Sequence, residues 1–171
     1  MSTHNNFIPI NIAIVTISDT RILDNDKSGD VLEDRVLKSN HKIISREIVK
    51  DNFEEIYELF SNFINNEKID VIISTGGTGL TGRDITPEVM KKLFEKTIDG
   101  FGEMFRWLSY SKIGTSSLQS RALAGVSNGT YIFCLPGSPS ACRDGWDQIL
   151  IHQLDIRHKP CNFVEIMPRL Q

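Results

Sequence analysis

The stretch VIISTGGTGLTGRD, residues 71 to 84, joins a run of β-branched residues to a loop rich in glycine and threonine that ends on an aspartate. A short apolar run of this kind is typical of a strand buried on both faces. Glycines at its end let the backbone turn tightly and present N–H groups to an anion. The stretch therefore predicts a buried strand that leads directly into a candidate anion-binding loop.

Two nucleotide-binding motifs match this loop only in part. Residues 77–82 fit the G-x-G-x-x-G of dinucleotide-binding proteins. However, the next helix is predicted to start only at Thr86-Pro87, and no acid follows at the end of a next strand. The same residues fit the glycine spacing of a P-loop, yet Arg83 and Asp84 stand where Lys and Ser or Thr are required. The dinucleotide interpretation is therefore weak, and the P-loop interpretation fails on its chemistry.

A third interpretation is a different kind of phosphate site. Gly76, Gly77 and Gly79 would offer backbone N–H groups, and Thr75 and Thr78 would add hydroxyl donors. The aspartate at the end of the loop would hold Mg²⁺ against the same phosphates. The alternative is a glycine-rich turn whose Arg-Asp pair is an exposed ion pair, and the loop alone does not decide between them.

Length and composition indicate one compact domain over residues 1–171, with short irregular ends at about 1–8 and 158–171. The net charge of -3 argues against nucleic-acid binding. No apolar run reaches transmembrane length, and no signal peptide opens the chain, so a cytoplasmic protein without a membrane partner is expected. The cysteines and histidines lack the spacing of a zinc site.

Strands and helices are predicted to alternate. Strands are expected at residues 10–17, 43–49 and 69–74, with a hairpin of 123–126 and 131–135 that turns at Asn128-Gly129. Helices are expected from an N-cap at Ser28, from Asp51-Asn52, from Thr86-Pro87, and over 101–111 and 140–154. This order predicts an α/β fold: a mostly parallel sheet covered on both faces, with one antiparallel hairpin strand.

Polar or glycine-rich segments follow four of the predicted strands. These segments are Ser18-Asp19, Asp51-Asn52, residues 75–84 and residues 136–139. Each could be a turn or a helix cap, but in a parallel sheet all would gather at the edge where ligands collect. Two carboxylates, Asp51 and Asp84, beside a phosphate loop suit metal-assisted phosphoryl or nucleotidyl transfer.

Several motifs along the chain resemble the MoaB/MogA family of molybdenum cofactor biosynthesis proteins. They occur in the same order over roughly residues 8 to 165: Thr75–Gly79, Arg83–Pro87, Gly100–Glu103, Ser120-Arg121 and Leu135–Pro139. Lys112–Ser116 and Lys159–Phe163 are similar to the MoaB branch. The resemblance covers most of the chain, so it is much more specific than a single motif.

The resemblance implies a three-layer αβα fold and a homotrimer or homohexamer, with other proteins of the pathway as further partners. It also implies a reaction in which molybdopterin and ATP, with Mg²⁺, give adenylylated molybdopterin and pyrophosphate. The residues implied are Asp51 and Asp84 for catalysis and metal binding; Thr75, Gly76, Gly77, Thr78, Gly79, Ser18 and Asp19 for the nucleotide; and Ser28, Gly29, Ser120, Arg121, Pro136, Gly137 and Ser138 for the pterin substrate.

Two other functions remain open. Some members of the MoaB branch lack one or both acids, so a non-catalytic molybdopterin-binding or scaffold protein of the same pathway is the main alternative. This chain keeps both acids, although it carries Ser138 where many relatives have Asn or Gln. An NAD-dependent oxidoreductase is the third possibility, and it rests on the weak dinucleotide motif alone.

Overall fold

A computed structural model describes residues 6–170 of the chain. The strands are β1 (Asn11–Ile17), β2 (Lys42–Val49), β3 (Val71–Thr75), β4 (Lys96–Thr97), β5 (Leu123–Ser127) and β6 (Thr130–Leu135). The helices are α1 (Lys27–Lys38), α2 (Phe53–Ile64), α3 (Thr86–Leu93), α4 (Asp99–Ile113), α5 (Pro139–Gly145), α6 (Ile151–Gln153) and α7 (Phe163–Ile166). A π-helical turn, Trp146–Leu150, joins α5 to α6.

The six strands form one mixed sheet in the order β2-β1-β3-β6-β5-β4. The first four strands in this order run parallel, β5 is antiparallel to β6, and β4 is antiparallel to β5. The predicted mostly parallel sheet with an antiparallel hairpin is therefore confirmed. The hairpin turns at Asn128 and Gly129, both with positive φ, as the Asn-Gly pair predicts. The two-residue strand β4 was too short to predict from sequence.

Helices cover both faces of the sheet and give it three layers. On one face, α1, α4 and α5 pack against Ile12 and Ile14 of β1. On the other face, α2 and α3 pack against Ala13 and Val15 of the same strand. Because successive side chains of a strand point to opposite faces, burial on both sides explains why β1 is apolar almost throughout.

Two helices begin differently from the prediction. The N-cap of α1 is Asp26, whose carboxylate accepts the Gly29 N–H at 2.9 Å, so Ser28 lies in the first turn instead. Helix α3 begins at Thr86 itself, and the Thr86 hydroxyl donates to Gly76 O at 3.0 Å rather than capping the helix. The predicted cap of α2 is confirmed, since the Asn52 side chain accepts the Glu55 N–H at 3.0 Å.

The C-terminal segment is more ordered than predicted. The expected irregular tail contains α7 and a 3₁₀ turn at Met167–Arg169. Asn162 caps α7, and Val164 packs into the core beside α4 and α5. Part of the predicted N-terminal tail, residues 1–5, lies outside the described residues. Within residues 6–170, no helix combines the length and apolar character needed to cross a membrane.

Candidate functional site

Two glycine-rich loops meet where β3 and β6 end. The Gly76 N–H donates to Leu135 O at 3.0 Å, and the Thr75 hydroxyl donates to Pro136 O at 2.9 Å. The loops are so close that a methyl group added to Gly137 would lie 3.2 Å from the Gly76 Cα. The sheet thus places residues separated by about sixty positions side by side at its carboxyl edge.

Three glycines of the first loop, Gly76, Gly77 and Gly79, form what we term the glycine cradle. Gly76 has φ 106° and Gly77 has φ 64°, which L side chains rarely adopt. A methyl group on Gly76 would lie 2.1 Å from Ile17 O, and one on Gly77 would lie 2.2 Å from Thr86 Oγ1. Both the conformation and the space therefore require glycine at these two positions.

Replacing Gly76 should destabilise the protein much more than replacing another glycine of the same loop. Gly76→Ala places a side chain on a residue with positive φ and brings its methyl group against the backbone of Ile17. The free energy of unfolding should fall by about 2 kcal/mol or more, which corresponds to a fall in Tm of roughly 4 to 8 °C. Gly82→Ala is the matched control because nothing lies within 4 Å of the added methyl group. Thermal unfolding of both variants measures the difference, and equal Tm values would contradict the need for glycine at position 76.

A cavity of about 730 Å³ opens beside the glycine cradle. The predicted site residues that line it are Gly76, Gly77, Thr78, Gly79, Asp84, Ser120, Pro136, Gly137 and Ser138. Its opposite wall comes from α4 and α5, and the side chains there include Phe105, Ser109, Lys112, Ile113, Ala141 and Asp144. A cavity of this size can hold a cofactor-sized ligand.

Sequence reasoning missed this opposite wall. Phe105 is only 3% exposed and packs into the core, yet it also borders the cavity. Lys112 lies on the same helix and forms an ion pair with Asp144 of α5. The family motif that begins at Lys112 was the one signal in the sequence that could have indicated this wall.

Asp84 ends the glycine-rich loop on the rim of the cavity. Its Oδ2 accepts the Thr81 N–H at 2.8 Å and the Thr81 hydroxyl at 2.6 Å. Burial acts to raise the pKa of Asp84, but hydrogen bonds from Thr81 and Gly79, together with the charge of Arg121, outweigh it and hold the pKa below its ordinary value. Asp84 is therefore a fixed, ionised carboxylate beside the glycine cradle.

Asp51 follows β2 and reaches the cradle from the other side. A methyl group on Gly77 would lie 2.9 Å from Asp51 Oδ1, and this oxygen is buried without a hydrogen-bond partner. Burial, and then the negative charges of Asp19 and Asp84, raise the pKa of Asp51 above its ordinary value. A buried carboxylate oxygen without a donor suits a cation that arrives with the ligand.

The two carboxylates suit a Mg²⁺ ion that is shared with substrate phosphates better than a metal ion held by protein ligands alone. Among residues 6–170, no group of three or more His, Cys, Asp or Glu side chains is arranged to hold a metal ion. Mg²⁺ commonly binds through one or two carboxylates while water and substrate phosphates complete its shell. Asp51 and Asp84, beside backbone N–H groups able to bind phosphate, meet that description.

Ser18 and Asp19 line a neighbouring groove of about 640 Å³ rather than the main cavity. Asp19 forms an exposed ion pair with Arg83, with Oδ2 2.7 Å from the guanidinium. Its other oxygen accepts the Asp51 N–H at 3.3 Å. Asp19 therefore contacts both the glycine-rich loop and the Asp51 backbone.

Asp51 and four other predicted site residues do not line the cavity. Thr75 is fully buried, and its hydroxyl is already bonded to Pro136 O, so it is not a free phosphate donor as expected. Ser28 and Gly29 lie behind the Pro136–Ser138 loop, where the Ser28 hydroxyl donates to Gly137 O at 3.4 Å. The fourth, Arg121, uses its guanidinium to bind Gly79 O, Asp84 O and the Glu88 carboxylate.

Comparison with known proteins identifies the family. A family model described as a probable molybdopterin binding domain matches residues 13–156. Molybdenum cofactor biosynthesis protein B of Escherichia coli is 48% identical over 157 residues, which cover 92% of each chain.

Solved structures agree. A crystal structure of a molybdenum cofactor biosynthesis protein B matches with a TM-score of 0.86 and 37% identity, covering 95% of this chain and 96% of that one. A molybdopterin biosynthesis enzyme MoaB from a Thermus species matches with a TM-score of 0.74 and 28% identity, covering 82% and 89%. The chain belongs to the molybdenum cofactor biosynthesis protein B family and contains a domain of the probable molybdopterin-binding type.

Proposed function

We propose that this protein binds molybdopterin and adenylylates it with Mg-ATP, releasing pyrophosphate. The observation that carries the proposal is the placement of two carboxylates beside the glycine cradle: Asp84 lines the cofactor-sized cavity, and Asp51 Oδ1 lies against Gly77. The Thermus relative is described as an enzyme of molybdopterin biosynthesis, which supports a catalytic role.

The two sides of the cavity suit different parts of the substrates. The glycine cradle offers backbone N–H groups, which bind phosphate oxygens. Thr78 also lines the cavity, although the residue is only 2% exposed. Phe105 and Ile113 give the opposite wall an apolar surface, against which a planar pterin ring can pack.

The reaction needs positioning more than proton transfer. An oxygen of the molybdopterin phosphate monoester attacks the α-phosphorus of ATP, and the bond from that phosphorus to the oxygen of the leaving pyrophosphate breaks. The attacking oxygen is already anionic, so no protein base is required. The cradle orients the phosphates, and Asp51 and Asp84 would hold Mg²⁺. When bound, Mg²⁺ supplies neutralisation of phosphate charge.

Pyrophosphate release tests the proposal directly. Purified protein with molybdopterin, ATP and Mg²⁺ should release one pyrophosphate per adenylylated molybdopterin, and omission of Mg²⁺ or molybdopterin should stop the release. Binding of molybdopterin without pyrophosphate release would instead indicate a non-catalytic scaffold. A thermal shift with NAD, absent with ATP, would favour the oxidoreductase alternative.

We also propose a homo-oligomer, a trimer or hexamer, acting in the cytoplasm together with other proteins of the pathway. Phe105 and Leu108 of α4 pack into the core, whereas Met104, Trp107 and Tyr110 of the same helix are 51%, 74% and 60% exposed. An apolar face of this kind supports contact with another copy of the chain. Light scattering of the purified protein distinguishes the trimer, the hexamer and the monomer.

A further inference from the structure

The loop that carries Asp84, residues 79–84, extends away from the sheet and is exposed for most of its length. Within it, the Thr81 side chain and N–H hold the Asp84 carboxylate, and the Asp84 N–H donates back to Thr81 O at 3.1 Å. These bonds fix Asp84 relative to Thr81. Gly79 also hydrogen-bonds to the Asp84 carboxylate. All of these bonds lie within residues 79–84, so none of them joins the loop to the rest of the molecule.

Arg121 connects this loop to the sheet through three separate nitrogens. Its Nε donates to Gly79 O at 2.7 Å, and one terminal nitrogen donates to Asp84 O at 2.7 Å. The other terminal nitrogen pairs with the Glu88 carboxylate of α3. The guanidinium therefore binds the first and the last residue of the loop at once.

The backbone that carries Arg121 is itself held by the sheet. Arg121 lies two residues before β5, which pairs with β6, and its N–H donates to Thr78 O at 3.1 Å. Among residues 6–170, the other side-chain link from the loop to the rest of the molecule is the Arg83–Asp19 pair, and the Arg83 side chain is 66% exposed. Since exposed ion pairs contribute little, Arg121 is the stronger restraint.

We propose that Arg121 is a positioning residue that fixes Asp84 relative to the glycine cradle and so enables the two to share one metal–nucleotide complex. This inference rests on the proposed function. It replaces the expected contact between Arg121 and the pterin, because the Arg121 guanidinium is already committed to three acceptors.

The role depends on the shape of the side chain and not only on its charge. A lysine has one nitrogen and cannot reach Gly79 O, Asp84 O and Glu88 together, whereas it keeps the positive charge. Arg121→Lys therefore separates positioning from simple attraction of phosphate. Arg35→Lys is the matched control, since Arg35 is similarly exposed (26% against 28%) and also forms an ion pair with an acidic residue of another element.

Two measurements test the proposal. The first is hydrogen exchange of the free protein, followed by mass spectrometry on peptides that cover residues 78–86. The second is the affinity for Mn²⁺ with an ATP analogue that has a methylene group between the α- and β-phosphates. In Arg121→Lys, exchange of the loop amides should accelerate about tenfold and the Kd for Mn²⁺ should rise about tenfold, as expected for loss of a charge-assisted hydrogen bond. Analogue binding in EDTA should not change.

Each alternative result has a definite meaning. Unchanged exchange in Arg121→Lys would overturn the structural restraint. Faster exchange with unchanged Mn²⁺ affinity would overturn its link to the metal, as would an equal loss of Mn²⁺ affinity in Arg35→Lys. If wild-type protein bound no Mn²⁺-nucleotide, the proposed function and the metal-positioning role would fail, while the exchange data would still decide whether Arg121 restrains the loop.

Discussion

Asp84→Asn should reduce pyrophosphate release by about 10²- to 10³-fold while changing the Kd for molybdopterin by less than about twofold. Asparagine keeps an oxygen that can accept the Thr81 N–H and hydroxyl, so the loop geometry should persist. What is lost is the negative charge beside the glycine cradle. The variant thus removes the proposed metal ligand and leaves the cavity intact.

Two further variants make this result interpretable. Asp84→Ala removes both the charge and the acceptor for Thr81, so it should be at least as inactive and should also loosen the loop. Glu58→Gln removes an exposed carboxylate from α2 and should leave turnover unchanged. Turnover by Asp84→Asn close to that of wild type would show that position 84 serves only the loop structure, and would remove it from the metal site.

Features that depend on local chemistry could be predicted from the sequence. The run from Ile12 to Ile17 is apolar on both faces because the strand is covered twice, and periodicity reports this directly. The glycine cradle was predictable because Gly76 and Gly77 must adopt positive φ, which the residue type itself signals. The meeting of Asp51 with the cradle followed from one rule about the ends of parallel strands.

Features decided by distant contacts could not be predicted in this way. Ser28 and Asp26 are both good N-cap residues. Asp26 became the cap, and it also accepts the Thr16 hydroxyl at 2.7 Å and pairs with Arg46 at 3.0 Å. Likewise, nothing near Arg121 in sequence indicates that it binds Gly79 O, which lies 42 positions earlier. Such partners are set by the packing of the whole sheet.

Asp51→Asn should make the protein more stable and less active. Asp51 Oδ1 is buried without a partner, and burial with the charges of Asp19 and Asp84 disfavours the ionised form. A neutral amide relieves that cost, so the Tm at pH 7 should rise by roughly a few degrees. Turnover should fall by about 10²-fold or more because a proposed Mg²⁺ ligand is lost.

The gain in stability should depend on pH in a defined direction. Because the folded-state pKa of Asp51 lies above the ordinary value of 3.8, the penalty of the ionised carboxylate is fully present at neutral pH. It is relieved as the pH falls through the raised pKa, and it is absent once the unfolded chain is also protonated. The Tm difference between Asp51→Asn and wild type should therefore be largest near pH 7 and should shrink as the pH falls towards 4.

Asp34→Asn provides the control of opposite sign. The bond to Lys38 holds the pKa of Asp34 below its ordinary value, so loss of this carboxylate should lower the Tm slightly or leave it unchanged. If Asp51→Asn also lowered the Tm at pH 7, the Asp51 carboxylate would stabilise the folded protein, and the predicted cost of its ionised form would be wrong. A more stable but inactive variant would instead indicate that Asp51 is retained for its ligand at a cost to the free protein, as expected for a functional site.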